Sequence, residues 1–133
     1  MAPDWVRRPQ VGLPEIIFDS SFLMAVVERP TTWFEDMTES LGKLDPLILD
    51  CVAAELEKIG ARDGKKARVA RVALELAKGF RRAACGSGDA DAEIASAALG
   101  RKALVATTDR ELANTLRALH VKVVSLRSGR VVL

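Results

Sequence analysis

Short apolar runs alternate with amphipathic stretches of helical period along the whole chain, and no other feature limits so strongly what its 133 residues can build. The runs have strand length, while the stretches between them repeat their apolar positions every three to four residues or so. Such alternation predicts repeated β–α units and a parallel sheet, rather than an all-helical or all-strand domain.

Glu15–Phe18 reads as the first strand and Ser20–Glu28 as the helix after it. A second helix, Trp33–Leu41, is entered through Thr31 and Thr32, which can cap it. Pro46–Leu49 is the next strand, followed by a Cys51–Ile59 helix ending at Gly60, a favoured C-cap residue. After the turn Arg62-Asp63-Gly64, residues Lys65–Arg82 show the clearest helical period. Val69, Val72, Ala73, Leu76 and Phe80 fall on one face there, and Arg68, Arg71, Lys78 and Arg82 on the other. Gly86-Ser87-Gly88 breaks the chain before an Ala90–Leu99 helix stopped by Gly100. Ala103–Ala106 is a strand, Asp109–Leu119 a helix and Val121–Leu126 a strand, and Arg130–Leu133 can add an edge strand after the Ser128-Gly129 turn. Neither a repeat nor a linker interrupts this order. Residues 1–133 are therefore expected to form one α/β domain with one hydrophobic core, the first 14 or so being an N-terminal extension.

With 49% apolar and 29% charged residues the chain is too apolar for a disordered segment. Its longest uncharged stretch is the eight residues Ser20–Val27, whereas a membrane span needs about twenty. The start, MAPDWVRRPQ, lacks the apolar run of an export signal, so the expected location is the cytoplasm and no membrane partner is expected. Cys51 and Cys85 stand 34 residues apart without a CxxC pair, and read as two small buried hydrophobes. His120 is the single histidine, so histidine-based zinc sites and Ser-His-Asp chemistry lose their usual parts. Any chemistry falls to carboxylates.

The net charge of +2 hides an uneven distribution. Residues 1–57 carry 4 basic and 11 acidic side chains, a balance of −7, and residues 58–133 carry 16 basic and 7 acidic ones, a balance of +9. A basic half suits a polyanionic partner, because attraction to phosphates is local. Folding that intermixes the halves would remove the effect.

Ligands of open parallel sheets bind beyond the carboxyl ends of the strands. That rule directs attention to Asp19 after Ile16-Ile17-Phe18, Asp50 after Leu47-Ile48-Leu49, and Asp109 after the run Ala103–Thr108. Helical phase sorts the remaining acids. At 100° per residue, Val52, Leu56 and Ile59 mark the buried side of their helix; Glu55 lies about 65° from its centre and Glu57 about twice as far. Glu55 thus borders the core and Glu57 faces water. Asp91 shares the spacing of Ile94, Ala95 and Ala98 and falls on an apolar stripe, while Asp89 and Glu93 point elsewhere. A carboxylate on such a stripe must be paired, protonated or bound to a cation.

Each acid also has a structural reading. Asp19, Asp89 and Asp91 suit helix N-caps or first turns, Thr108-Asp109-Arg110-Glu111 fits a capping box in which Asp109 is incidental, and Glu55 can be solvated. Jointly they read differently: if the Glu15–Phe18 and Ala103–Ala106 strands and their helices are neighbours, Asp19, Glu55, Asp91 and Asp109 converge on one crevice. Two carboxylates about 5 Å apart repel by roughly 3 kcal/mol at an effective dielectric of about 20, so such a cluster takes up protons or gathers metal. An all-oxygen site without His or Cys suits Mg²⁺ or Mn²⁺. Hard ions bridged by carboxylates are a standard means of activating water against a phosphodiester.

In these motifs the sequence resembles the PIN domain ribonucleases. Ile16-Ile-Phe-Asp19-Ser-Ser21-Phe-Leu looks like the family's first acidic motif, and Leu49-Asp-Cys-Val-Ala-Ala-Glu55 its helical Glu. Asp91-Ala-Glu-Ile-Ala-Ser-Ala-Ala98 matches the third, and Val105-Ala-Thr-Thr-Asp109-Arg-Glu-Leu the fourth; the likeness runs from about residue 15 to the end. The resemblance implies a three-layer α/β/α sandwich and a metal-dependent endoribonuclease acting on single-stranded RNA. It makes Asp19, Glu55, Asp91 and Asp109 catalytic metal ligands for Mg²⁺ or Mn²⁺, with Ser21 and Thr107 as supporting hydroxyls. Family members often carry Asn where Ser21 stands, and no obvious strand lies between Phe80 and Asp89.

Other acid-based α/β folds fit less well. A haloacid-dehalogenase-type phosphatase needs an Asp two residues after its nucleophile, where Ser21 follows Asp19. A receiver domain needs a Lys ending a late strand, where this chain has Val123-Val124-Ser125. Neither GxxxxGK[ST] nor GxGxxG occurs. The alternative of another class is a PIN-like module that binds RNA or a protein without cutting. Among nucleases, the toxin of a toxin–antitoxin pair and a ribosomal RNA processing enzyme use the same residues, so an antitoxin or a ribosome-assembly protein are both candidate partners, and a homodimer is left open. An apolar groove formed by Trp33, Phe34 and Met37–Leu41 would favour an antitoxin; a core-facing helix there would not.

Overall fold

The computed structural model describes residues 4–7, 12–30, 32–86 and 88–133. In chain order the elements are α1 (Asp4–Arg7), β1 (Glu15–Phe18), α2 (Ser20–Glu28), α3 (Trp33–Leu41), β2 (Asp45–Leu49), α4 (Asp50–Gly60) and α5 (Lys65–Leu76). A 3₁₀ turn, Ala77–Gly79, leads to β3 (Arg81–Ala83), α6 (Ala90–Arg101), β4 (Leu104–Ala106), α7 (Arg110–Ala118), β5 (Val123–Arg127) and β6 (Arg130–Val132).

The apolar cores of β1 and β2 are buried, as expected of strands covered by helices on both faces. The sheet order is β3-β2-β1-β4-β5-β6. β1 runs parallel to both β2 and β4, with Ile17 opposite Leu47 on one side and Val105 on the other; β6 alone pairs antiparallel, as the edge of a hairpin. Right-handed crossovers place α2–α5 on one face and α6 and α7 on the other, which makes the three-layer sandwich. Growth from β1 proceeds one way to β2 and β3, and from β4 the other way to β5. The chain therefore reverses between β1 and β4, and a crevice opens beyond their carboxyl ends.

Under that crevice lies an aromatic cluster. Phe18 contacts Phe22, Trp33 and Phe80 with ring centroids 5.6, 5.9 and 4.9 Å away, and Phe22 meets Trp33 edge-on at 5.8 Å. Trp33 and Met37 are buried in this core, so α3 spends its apolar face inward instead of lining a groove for an antitoxin helix. Thr32 occupies the N-cap position of α3, its hydroxyl donating to Asp36 Oδ1 rather than accepting a helix amide, and Thr31 lies outside the described residues. Trp5 and Val6 of α1 are also in the core, and the Trp5 indole donates to Thr38 Oγ1 at 2.7 Å.

Several sequence expectations need correction. The helix from Lys65 stops at Leu76 rather than Arg82, and Arg81–Ala83 becomes the strand missing before the third acid. Pairing with β2 imposes that strand: Leu47, Ile48 and Leu49 face Arg81, Arg82 and Ala83 in register, although nothing in Arg-Arg-Ala favours one. The buried residues of α5 are Ala67, Val69, Ala70 and Ala73, and Val72 is 53% exposed. Small residues there let α5 approach α4 closely. A Cβ on Gly60 would stand 3.0 Å from Arg71 Cγ, so Gly60 ends α4 as a contact point with Ala61 as the cap residue. Gly100 likewise lies within α6, and Lys102 takes the left-handed cap conformation.

The charged halves interdigitate. Arg81 pairs with Glu15 and Asp45, Arg82 with Asp50, Arg101 with Glu15 and Arg130 with Asp36, each a base of the second half on an acid of the first. Cys51 and Cys85 form a disulfide with Cα atoms 5.9 Å apart, not two separate buried thiols. Register explains it: each lies two residues beyond the paired Leu49 and Ala83. Among the described residues no helix is long and apolar enough to cross a membrane.

Candidate active site

Asp19 ends β1 and stands at the N-cap position of α2, yet its carboxylate bonds none of that helix's amides. It is 6% exposed. Its Oδ2 accepts from Ser21 Oγ at 2.6 Å and from Thr107 Oγ1 at 2.8 Å. Among the described residues, Oδ1 receives no donor. Thr107, wholly buried at the end of β4, also accepts the Asp109 amide at 3.0 Å, and Ser21 Oγ accepts the Thr108 amide at 3.1 Å. Ser21 and Thr107 therefore lace the end of β1 to the end of β4 and fix the rotamer of Asp19.

Asp109 caps α7 itself, its Oδ1 accepting the Leu112 amide at 3.1 Å. Thr108 is not the cap, and Asp109 is not incidental. Glu55, exposed on α4, is held from across the crevice by Ser20 Oγ, which donates to its Oε1 at 2.7 Å. Asp91 occupies the first turn of α6. It is exposed rather than buried on an apolar stripe, although its phase does turn it towards the other acids. Partial burial, followed by the charges of Asp19, Asp109, Asp89 and Glu55, holds its carboxyl above the usual range.

Acids from other elements thus surround Asp91 at the β1–β4 reversal. None of Asp19, Glu55, Asp91 and Asp109 has an ion pair among the described residues, whereas Asp50 is spent on Arg82 at 2.8 Å. Two participants go beyond the sequence reading. Ser20 positions Glu55, and the run Asp19-Ser20-Ser21 contained that signal. Asp89 caps α6 through the Ala92 amide at 2.8 Å while adding its charge to Asp91. Glu93 instead accepts the Gly86 amide and pins the loop before α6.

Do these groups suit a hard divalent ion? The donor set does: carboxylates without thiolate or imidazole, with one oxygen of Asp19 fixed by hydroxyls and the other free. Among the described residues no three acidic, His or Cys side chains stand close enough to enclose an ion directly. Mg²⁺ keeps several of its waters and takes only one or two carboxylates directly, so an open ring of acids suits it better than a closed cage would.

A mostly parallel sheet with acids gathered at its reversal point is the architecture of a PIN-like nuclease domain, and residues 16–129 match the family described as PIN like domain. The chain belongs to that family. More particularly, it is 33% identical over 110 residues to the rRNA-processing protein fcf1 of Schizosaccharomyces pombe, covering 78% of this chain and 54% of that one. It is 32% identical over 117 residues to the human rRNA-processing protein FCF1 homolog, covering 83% and 56%. The chain spans a little over half the length of these curated relatives. The solved PIN domain endonuclease Utp24 superposes with a TM-score of 0.73 at 32% identity, over 88% of this chain and 90% of that one. VapBC2 from Rickettsia felis, at 14% identity and a TM-score of 0.62, shares the fold.

Proposed function

We propose that the domain is a divalent-metal-dependent endoribonuclease hydrolysing phosphodiester bonds of single-stranded RNA, with ribosomal RNA precursors as the substrate class. The observation that carries this reading is the placing of Asp19, Glu55, Asp91 and Asp109 about the β1–β4 reversal, Asp19 and Asp109 being tied through Thr107, without a neutralising base on any of the four among the described residues. A repulsive cluster of that kind serves little purpose without a cation. Likeness to an endonuclease and to rRNA-processing proteins supports the choice of substrate.

Asp19, Glu55, Asp91 and Asp109 would hold Mg²⁺ or Mn²⁺, which when bound supplies a Lewis acid for phosphate oxygens and a means of activating water. Ser21 and Thr107 keep Asp19 Oδ2 occupied so that Oδ1 faces the crevice, and Ser20 holds Glu55 in place. With the apolar side of α3 buried, a ribosome-assembly protein suits the domain better as a partner than an antitoxin helix. We also place the protein in the cytoplasm, where disulfides such as Cys51–Cys85 are rare outside hyperthermophiles.

The test is incubation of purified protein with labelled single-stranded RNA, with and without Mn²⁺, beside Asp91→Asn. Cleavage should require the ion and be abolished by the substitution. Equal cleavage by the variant would refute the site. The alternative is a module that binds RNA or a protein without cutting; binding with no cleavage under any divalent ion would establish it.

A further inference from the structure

Five arginines serve acids or backbone carbonyls: Arg71, Arg81, Arg82, Arg101 and Arg130 each have such a partner. Among the described residues Arg110, Arg117 and Arg127 have none. These three nevertheless line a single groove of about 280 Å³ between α7 and the β5–β6 hairpin. Arg110 and Arg117 are seven residues apart on α7, hence on one side of the helix and about 10 Å apart along its axis. Arg127 faces them from the end of β5. Asp109 lines the same groove, and its amide donates to Thr107, which in turn donates to Asp19, so the groove borders the acidic site.

Three guanidiniums on one concave surface repel one another, and Asp109 is the one acid among the residues that line it. Guanidinium groups bind phosphate oxygens bidentately, and a groove longer than one helical turn addresses more than one phosphate of an extended strand. Ser125 and Thr108 line the same wall and add hydroxyls able to reach phosphate or sugar oxygens. We infer that the α7–β5 groove is the track along which the RNA backbone leaves the acidic site, with Arg110, Arg117 and Arg127 as its phosphate-binding residues. This rests on the nuclease reading above and assigns the strand's path. Base identity is not read there, because phosphate contacts carry no sequence information.

Fluorescence anisotropy with a labelled single-stranded RNA oligonucleotide in EDTA, titrated at several salt concentrations, tests the inference. Arg117→Ala and Arg127→Ala should each weaken binding about three- to tenfold at moderate salt. Each should reduce the magnitude of the log Kd against log salt slope by about 0.7. The triple variant, adding Arg110→Ala, should lose about 2 from that slope. Arg68→Ala on α5, which also removes an unpartnered base but on the opposite layer, should bind as wild type. Circular dichroism melts establish that the variants are folded, and at saturating RNA and Mn²⁺ Arg117→Ala should keep its kcat while KM rises.

Wild-type affinity and an unchanged salt slope in the triple variant, with metal-dependent cleavage intact, would overturn the track and leave the nuclease reading standing. Failure of the wild type to bind or cleave RNA at all would sink both. Equal losses from Arg68→Ala and Arg117→Ala would show diffuse charge instead of a track, and would also overturn the inference.

Discussion

Replacing Asp91 by Asn isolates the electrostatic argument from catalysis, because its effect can be read on a protein that has no substrate. The Asp91 carboxyl is pushed up by partial burial and by four neighbouring carboxylates, and it has no partner among the described residues. Its folded pKa is therefore above its unfolded value, so the charged form weakens the fold. That penalty is absent well below pH 3.8, where the group is protonated in both states, and fully developed once the pH exceeds the raised folded value. Undiscounted, one carboxylate about 5 Å away would contribute roughly 3 kcal/mol. Asp91 is exposed, so solvent reduces each interaction to the ~0.2–1 kcal/mol of surface pairs. A total of about 1–2 kcal/mol follows for the group. For a chain of this length that corresponds to about 4–8 °C in Tm.

Melting curves in EDTA at low salt should thus show Asp91→Asn above the wild type at pH 7, level with it near pH 3, and closer to it at high salt, where screening shortens the interaction. With Mn²⁺ at about a hundred times its Kd the wild type gains about 2.7 kcal/mol. The variant gains less, so the order of the two proteins inverts. If the variant melts at or below the wild type in EDTA at pH 7, the acids do not repel one another and the reasoning fails.

Thr107→Val removes a buried donor to Asp19 and an acceptor for the Asp109 amide. Metal affinity by calorimetry should fall about 10–100-fold, and unaltered affinity would refute its supporting role. Reduction of the Cys51–Cys85 bridge, or replacement of both residues by Ala, should cost about 2–4 kcal/mol in denaturant unfolding for a loop of this size, and no change would argue against a formed disulfide. Phe22→Ala opens the aromatic cluster beneath α2 and should cost about 3–5 kcal/mol in the same assay; a loss under about 1 kcal/mol would mean the cluster does not anchor that helix.

The order of strands and helices and the four acids were legible because both depend on local pattern. β1, α2 and α3 begin and end where turn residues and apolar period place them, and acids after strands in an open sheet have few other places to point. What escaped depends on pairing between distant segments. Arg81–Ala83 is a strand only because β2 offers it an edge, and the disulfide follows from the same register, invisible until β2 and β3 are known to be neighbours. On α5 the predicted face was right at Val69 and Ala73 and wrong at Val72, because bulk is a poor guide where a close helix contact selects alanine. Asp91 had the right phase but the wrong exposure, since periodicity does not reveal how much of a helix's first turn its neighbours cover. Asp109 shows that capping and clustering are not alternatives: one carboxylate both holds the Leu112 amide of α7 and stands among the acids around Asp91.

The Cys51–Cys85 bridge encloses the exposed Arg62-Asp63-Gly64 turn, together with α5 and β3. A trypsin nick after Arg62 would leave two fragments still covalently tied, each bearing two of the four acids. The nicked molecule would migrate as one band until a thiol is added and two afterwards, so a gel run without reductant would conceal the damage.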